Sequence, residues 1–248
     1  MENLTAVVTG GTRGIGLGIG EALLKRGASL AITYLSNDED AGKAILRLEE
    51  QADPGCKVIL LKGDCGDSDT VRAHYQKVCE KLGPPNVLVN NAGIMFQRSF
   101  EEISFEDWDQ TIRINLSGSF YWLSLAVGAM KKQGFGRVVN ISSIAARGGG
   151  VVGPHYASSK AGQLGMTRYA ARELAPYGIT VNAIAPAFIE DAGIFTSWGD
   201  AQKQALKQKV YTPRLGRVHD VVQAFEYLLD TGFVTGVTLD LNGGAFVI

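Results

Sequence analysis

The sequence predicts an α/β fold: one doubly wound parallel sheet with helices on both faces. Three observations carry this expectation. Short apolar, β-branched runs alternate with amphipathic stretches along the whole chain. The apolar runs lack the in–out alternation of a half-exposed sheet, so they suit strands covered on both sides. A glycine-rich turn, Thr9-Gly10-Gly11-Thr12-Arg13-Gly14-Ile15-Gly16, separates the first run from the first amphipathic stretch. A sheet of this kind places its phosphate-binding turn there.

Taken in order, the first strand spans residues 5–9 and the first helix residues 16–26. The turn between them needs glycine, because a phosphate must approach the main chain and the helix must pack closely on the sheet. A second strand at 29–34 precedes a helix at 38–51, opened by Asp38, Glu39 and Asp40. A strand at 58–61 and a helix at 67–82 come next, then a strand at 87–90 and one long helix at 105–132. Strands at 137–141 and 180–184 flank a helix at 154–176. A helix at 219–229 and a strand at 236–239 finish the pattern. Such repeated units imply right-handed crossovers and a Rossmann-like sheet. Only residues 187–217 break the rhythm, with Phe188, Phe195 and Trp198 and a short helix near 200–209. A long connection after a strand's carboxyl end reads as a substrate lid, the plainer alternative being a surface excursion. No linker divides the 248 residues, so residues 1–248 are expected to form a single domain.

Composition narrows the function. Net charge is −1 and the longest basic cluster is Lys131-Lys132, so no nucleic-acid partner is expected. No apolar run is long enough to predict a membrane span. Met1-Glu2-Asn3 leads straight into the first strand, without the pattern of a signal peptide. Three cysteines without metal spacing predict neither a disulfide framework nor a metal site, and place the chain in the reduced cytoplasm.

Two residues suggest chemistry. Tyr156 and Lys160 stand four apart, on one face of a helix. Tyrosine ionises near ~10 and is a weak base at neutral pH, but a neighbouring ammonium favours the phenolate. By itself Tyr-x-x-x-Lys is common on helix surfaces. Ser143 ends the fifth strand, and the alternation of a strand points Ser142 the other way. His155 reads as loop or substrate rim.

With the glycine turn, Asn90-Asn91-Ala92-Gly93 and Tyr156-x-x-x-Lys160 in that order, the chain resembles the short-chain dehydrogenase/reductase family, most closely its 3-oxoacyl-carrier-protein reductase type. Arg137-Val-Val-Asn-Ile-Ser-Ser143, Gly178-Ile-Thr-Val-Asn182 and Asn242-Gly-Gly244 fit that type. The resemblance implies a reductase of a ketone or 3-oxoacyl thioester, with hydride from nicotinamide and a proton from Tyr156. It makes Asn115, Ser143, Tyr156 and Lys160 the catalytic set. Ser143 holds the carbonyl, Tyr156 and Lys160 also bind the cofactor, Lys160 at the nicotinamide ribose, and Asn115 holds a water that links Lys160 to solvent. It places the cofactor against Gly10, Thr12, Arg13, Gly14, Ile15 and Gly16, then Tyr34, Ser36 and Asn37. Asp64, Cys65, Asn91, Ala92 and Gly93 follow on the adenine and ribose side, and Pro186 and Ile189 on the carboxamide side.

NADP(H) is expected over NAD(H). An NAD site keeps an acid at the end of the second strand, where this chain has Tyr34, Leu35, Ser36 and Asn37, with Asp38 beyond them. Arg13 can pair with a 2′-phosphate. The segment 186–191 departs from the family: Ala187 replaces a glycine and Asp191 a threonine that holds the carboxamide. Gly134 and Tyr177 replace arginines that dock an acidic carrier protein. The resemblance also implies a homotetramer through the two long helices and the chain's end; Ala170, Ala171, Leu174 and residues 245–248 fit its contacts, and core packing within one subunit would give a similar pattern. Two other readings stay open: a dehydrogenase oxidising a secondary alcohol or sugar, and a non-catalytic dinucleotide sensor.

Overall fold

A computed structural model describes residues 4–247, so Met1-Glu2-Asn3 and Ile248, the last residue of the apolar tail, lie outside the described residues. Seven strands pair in parallel: β1 (Thr5–Val8), β2 (Ser29–Tyr34), β3 (Val58–Lys62), β4 (Val87–Asn90), β5 (Gly136–Ile141), β6 (Ile179–Pro186) and β7 (Thr238–Leu241). Their order across the sheet is β3-β2-β1-β4-β5-β6-β7. The direction of winding reverses between β1 and β4, and the crevice beyond the carboxyl ends of those two strands is where such sheets bind ligands.

The helices are α1 (Gly14–Leu24), α2 (Asp38–Glu49), α3 (Ser68–Lys81), α4 (Phe105–Ile112), α5 (Gly118–Gln133), α6 (Ala145–Gly148), α7 (Pro154–Leu174), α8 (Asp200–Lys207) and α9 (Val218–Asp230). Local chemistry sets several ends. The side chains of Asn37, Asp67 and Ser104 accept from the amides of Asp40, Thr70 and Asp107, capping α2, α3 and α4. Gly134 closes α5 at φ +66°, a left-handed cap that a side chain would strain. Two apolar layers sandwich the sheet. Leu23, Leu48 and Phe225 bring α1, α2 and α9 onto one face. Val78, Trp122 and Leu174 bring α3, α5 and α7 onto the other.

The structure corrects three expectations here. The long helix at 105–132 is not continuous. A π-helical turn, Arg113–Ser117, separates α4 from α5, and an inserted residue of this kind commonly re-aims side chains at functional sites. The last strand sits two residues later than expected, at Thr238–Leu241. Ala170, Ala171 and Leu174 are buried inside the chain's own core, so they are not free for contacts between copies. The larger exposed apolar side chains of the same helices are Phe105 at 88% exposure, Phe120 at 55% and Tyr169 at 72%. Among the described residues no helix is long and apolar enough to cross a membrane.

Candidate active site

A cleft of about 900 Å³ opens over the carboxyl ends of the strands, within the usual size range for small-molecule and cofactor sites. Its first wall is the glycine turn. Gly10, Thr12, Arg13, Gly14 and Ile15 line it, whereas Gly16 lies beneath. A Cβ at Gly16 would stand 2.5 Å from the Gly10 carbonyl oxygen and 2.6 Å from Asn91 Nδ2, so this glycine serves close packing of α1. No side chain caps α1, which leaves its first amides and its positive end open to the cleft. That arrangement fits a pyrophosphate.

Asn91 belongs to the same wall in a way its sequence position did not reveal. Its Nδ2 donates to the carbonyls of Thr9 and Gly10, both at 2.9 Å. Its side chain therefore stitches the turn after β1 to the turn after β4. Ala92 and Gly93 follow it along the cleft floor.

At the far end of β2, Tyr34, Ser36 and Asn37 line the cleft. Asn37 accepts from the Asp40 amide and donates to its carboxylate at 2.8 Å, so its amide is partly engaged. Asp38 does not line the cleft. Its carboxylate accepts from Lys62 Nζ at 2.6 Å and from the Tyr34 hydroxyl at 3.0 Å, and the Lys62 ammonium holds it below the usual carboxylate range. Arg13 is exposed and makes no side-chain hydrogen bond or ion pair among the described residues. Asp64 lines the cleft, but its carboxylate accepts from Arg113 at 2.7 Å and from the Gly66 amide at 2.8 Å. Beside it, burial pushes the Cys65 thiol up to about 11.

Tyr156, Ser143 and Lys160 meet on the floor. Ser143 follows β5 and its Oγ accepts from the Ala145 amide at 3.1 Å. Burial raises the Tyr156 phenol above its ordinary 10, and the neighbouring Ser143 hydroxyl draws it partly back down. Ser142 turns away to the Lys160 carbonyl, at 2.9 Å. The Lys160 ammonium stands 5.8 Å from the centre of the Tyr156 ring and makes no hydrogen bond to the phenol. It donates instead to the Ile141 carbonyl at 2.8 Å and to Gln163 Oε1 at 3.3 Å. Burial draws this lysine down to about 8.

Asn115 does not line the cleft. It sits buried in the π turn, where its side chain exchanges hydrogen bonds with the Ile94 backbone at 2.8 and 3.0 Å and thereby fixes the wall beyond Gly93. His155 is not a rim residue. It is fully buried on α7, stacked on Phe96 at 4.8 Å with Nε2 3.2 Å from the Phe96 carbonyl, and burial lowers its pKa.

The segment after β6 closes the last side. Pro186, Ala187, Phe188 and Ile189 line the cleft. Phe188 has φ +52°, in the left-handed region, a backbone strain on the order of 1–3 kcal/mol of the kind that gathers at ligand sites. The Gly216 amide donates to its carbonyl at 3.1 Å, tying the two ends of the 187–217 segment together. Asp191 was expected against the nicotinamide amide. It lies outside the cleft and accepts from the Val218 amide at 2.8 Å, capping α9. Phe188, Phe195 and Trp198 pack edge to face, with centroids 6.1 and 5.1 Å apart, and all three face the cleft. Val151, Val152 and Phe246 also contribute to this apolar half. They come from loops with no sequence signal of their own.

A family model described as short chain dehydrogenase matches residues 4–203. The chain is 37% identical over 246 residues to nodulation protein G of Azospirillum brasilense, covering 98% of each. It is 33% identical over 245 residues to the 3-oxoacyl-[acyl-carrier-protein] reductase FabG of Staphylococcus aureus, again 98% of each. It is 37% identical over 243 residues to the acetoacetyl-CoA reductase of Rhizobium meliloti, covering 97% of this chain and 98% of that one.

Proposed function

We propose, on the premise that this chain belongs to the short-chain dehydrogenase family, that it reduces the carbonyl of a ketone or 3-oxoacyl thioester to the secondary alcohol, with NADPH as reductant. The family's members are oxidoreductases that bind a nicotinamide cofactor. The observation that carries the proposal is Tyr156 and Ser143 brought together in the cleft lining, with the buried Lys160 ammonium behind them. Two relatives named as 3-oxoacyl and acetoacetyl reductases supply the substrate class.

Bound nicotinamide supplies the hydride. Tyr156 gives its phenolic proton to the carbonyl oxygen as that oxygen gains charge. A phenol whose pKa is raised by burial stays protonated at neutral pH, which suits a general acid. The Ser143 hydroxyl orients the carbonyl and stabilises the developing alkoxide. Two of the three Lys160 N–H donors are engaged by the protein. The third serves a ribose hydroxyl, and the positive charge favours the phenolate left by proton transfer. Tyr156, Ser143 and Lys160 occurring together argue against a silent sensor, because a sensor needs none of them.

The preference for NADPH rests on Arg13, which is unpaired, and on Asp38, which Lys62 and Tyr34 hold away from the cleft. Arg13→Ala is expected to raise KM for NADPH roughly 10- to 100-fold and to leave KM for NADH nearly unchanged. Steady-state kinetics on a panel of ketones, β-ketoacyl thioesters and sugars, followed at the nicotinamide absorbance, check both substrate class and cofactor. A wild-type preference for NADH would sink the cofactor assignment.

The 187–217 segment acts as a lid whose aromatics cover an apolar substrate group. A free ketone or a small thioester fits better than a carrier-bound one. Gly134 is needed as a left-handed cap, and Tyr177 lies under the Lys131 ammonium at 4.5 Å, itself paired with Glu173 at 3.6 Å. The three free cysteines suit the reducing cytoplasm. Exposed Phe105, Phe120 and Tyr169 supply apolar contacts for a homotetramer. Light scattering is expected to give about four times the 26.5 kDa chain mass, and a monomer would refute the assembly.

A further inference from the structure

The buried face of α7 carries a third polar side chain that the reaction above does not use. Gln163 lies three residues beyond Lys160 and seven beyond Tyr156, on the same stripe of the helix. It is fully buried. Its Nε2 donates to the Asn115 carbonyl and to Ser119 Oγ, both at 3.0 Å, and its Oε1 accepts from Lys160 Nζ at 3.3 Å. An ammonium only donates, so this orientation of the amide is the one that satisfies all three contacts. The Asn115 carbonyl also accepts from Ser119 Oγ at 3.2 Å. Two protein donors therefore converge on this carbonyl.

We propose that Gln163 is a positioning residue for Lys160: its carboxamide, anchored on the Asn115 carbonyl and Ser119 Oγ, holds the ammonium behind the reacting pair. This rests on the reading of Tyr156 and Lys160 given above. The surroundings leave few other charges to do that work. Tyr156 shares α7, and Cys65 beyond β3 stays neutral because burial holds its thiol at about 11. The Asp64–Arg113 pair lies beyond Cys65, β5 offers the Ile141 carbonyl, and the π turn and α5 offer Asn115 and Ser119.

An acceptor on an ammonium favours its charged form. Without it, only the Ile141 carbonyl opposes burial at Lys160, and the amine neutralises at lower pH. A carboxylate in its place favours the charge more strongly. Gln163→Met and Gln163→Glu both keep roughly the volume of glutamine. The Met variant is expected to move the high-pH fall of kcat down by about one unit or more, and the Glu variant to move it up. A glutamine with only a packing role would lower stability or kcat and leave the position of that fall unchanged in both variants, which overturns the proposal.

A second measurement uses the native protein and needs no variant to fold. The side-chain amide protons of Gln163, followed by NMR, are expected to exchange slowly, both being hydrogen-bonded and dry. Exchange at the rate of an exposed glutamine would mean that the carboxamide is not held on Asn115 and Ser119, and would overturn the proposal. Tyr156→Phe separates the two readings. If it abolishes turnover while both Gln163 variants keep the wild-type profile, only the Gln163 role fails. If it leaves turnover intact, the catalytic reading fails while slow amide exchange still supports the arrangement around Asn115.

Discussion

Tyr156→Phe is expected to lower kcat by roughly 10²–10⁴-fold, with KM for substrate and cofactor nearly unchanged. The substitution removes one hydroxyl and keeps the ring in place. What is lost is the proton donor to the carbonyl oxygen, together with the hydroxyl that neighbours Ser143. Phenylalanine has no group to take over the transfer, and Ser143, whose hydroxyl ionises far above neutral pH, is a poor substitute acid. The folded protein should tolerate the change, since a single hydrogen bond contributes about 0.5–1.5 kcal/mol. Steady-state kinetics and a thermal melt together test it. A folded variant with wild-type kcat would remove Tyr156 from the mechanism.

Lys160→Met is expected to cut kcat on a similar scale and, unlike Tyr156→Phe, to weaken NADPH binding as well. Methionine keeps most of the stem volume but supplies neither the charge that favours the phenolate nor a donor for the ribose. The same substitution carries a stability signature. Burial lowers the lysine from its usual 10.5 to about 8. Below pH 8 the lysine is charged in both folded and unfolded chains, and the folded state bears the full cost of a desolvated ammonium. Between pH 8 and 10.5 the unfolded chain keeps the proton while the folded protein releases it, so wild-type stability rises with pH. Above 10.5 the cost is gone. Methionine has no such dependence. Losing the donors to Ile141 and Gln163 adds an offset that does not change with pH. The difference in unfolding free energy is therefore expected to move by roughly 3 kcal/mol in favour of wild type across that window. Denaturant titrations at pH 7.5 and 10.5 measure it, and a difference constant with pH would contradict the buried, strained charge.

Some of this molecule can be read along the chain because the signals are local. Apolar runs and amphipathic stretches report strands and helices through their periods of 2 and 3.6. The turn at Gly10 to Gly16 and the four-residue step from Tyr156 to Lys160 are likewise short-range patterns, and both fall in the cleft region they implied. The π turn was not legible, because one inserted residue between α4 and α5 leaves the apolar pattern nearly intact. The spacing of Lys160 and Gln163 on one helix face was available in the sequence, but nothing local singled out the second.

The sequence by itself determined the parallel α/β architecture, the glycine turn and the tyrosine–lysine face, since each depends on neighbours a few residues away. Only the tertiary structure decided which side chains those features meet. Asp191 reaches the end of α9, 27 residues on, and leaves the cleft. Asp38 is held by Lys62 on the neighbouring strand. Ala170, Ala171 and Leu174 face inward. Gln163 finds the Asn115 carbonyl 48 residues back. The physical reason is common to all four. A hydrogen bond, an ion pair or a packed contact forms within a few ångströms in space, and which distant residues come that close is set by how helices seat on the sheet.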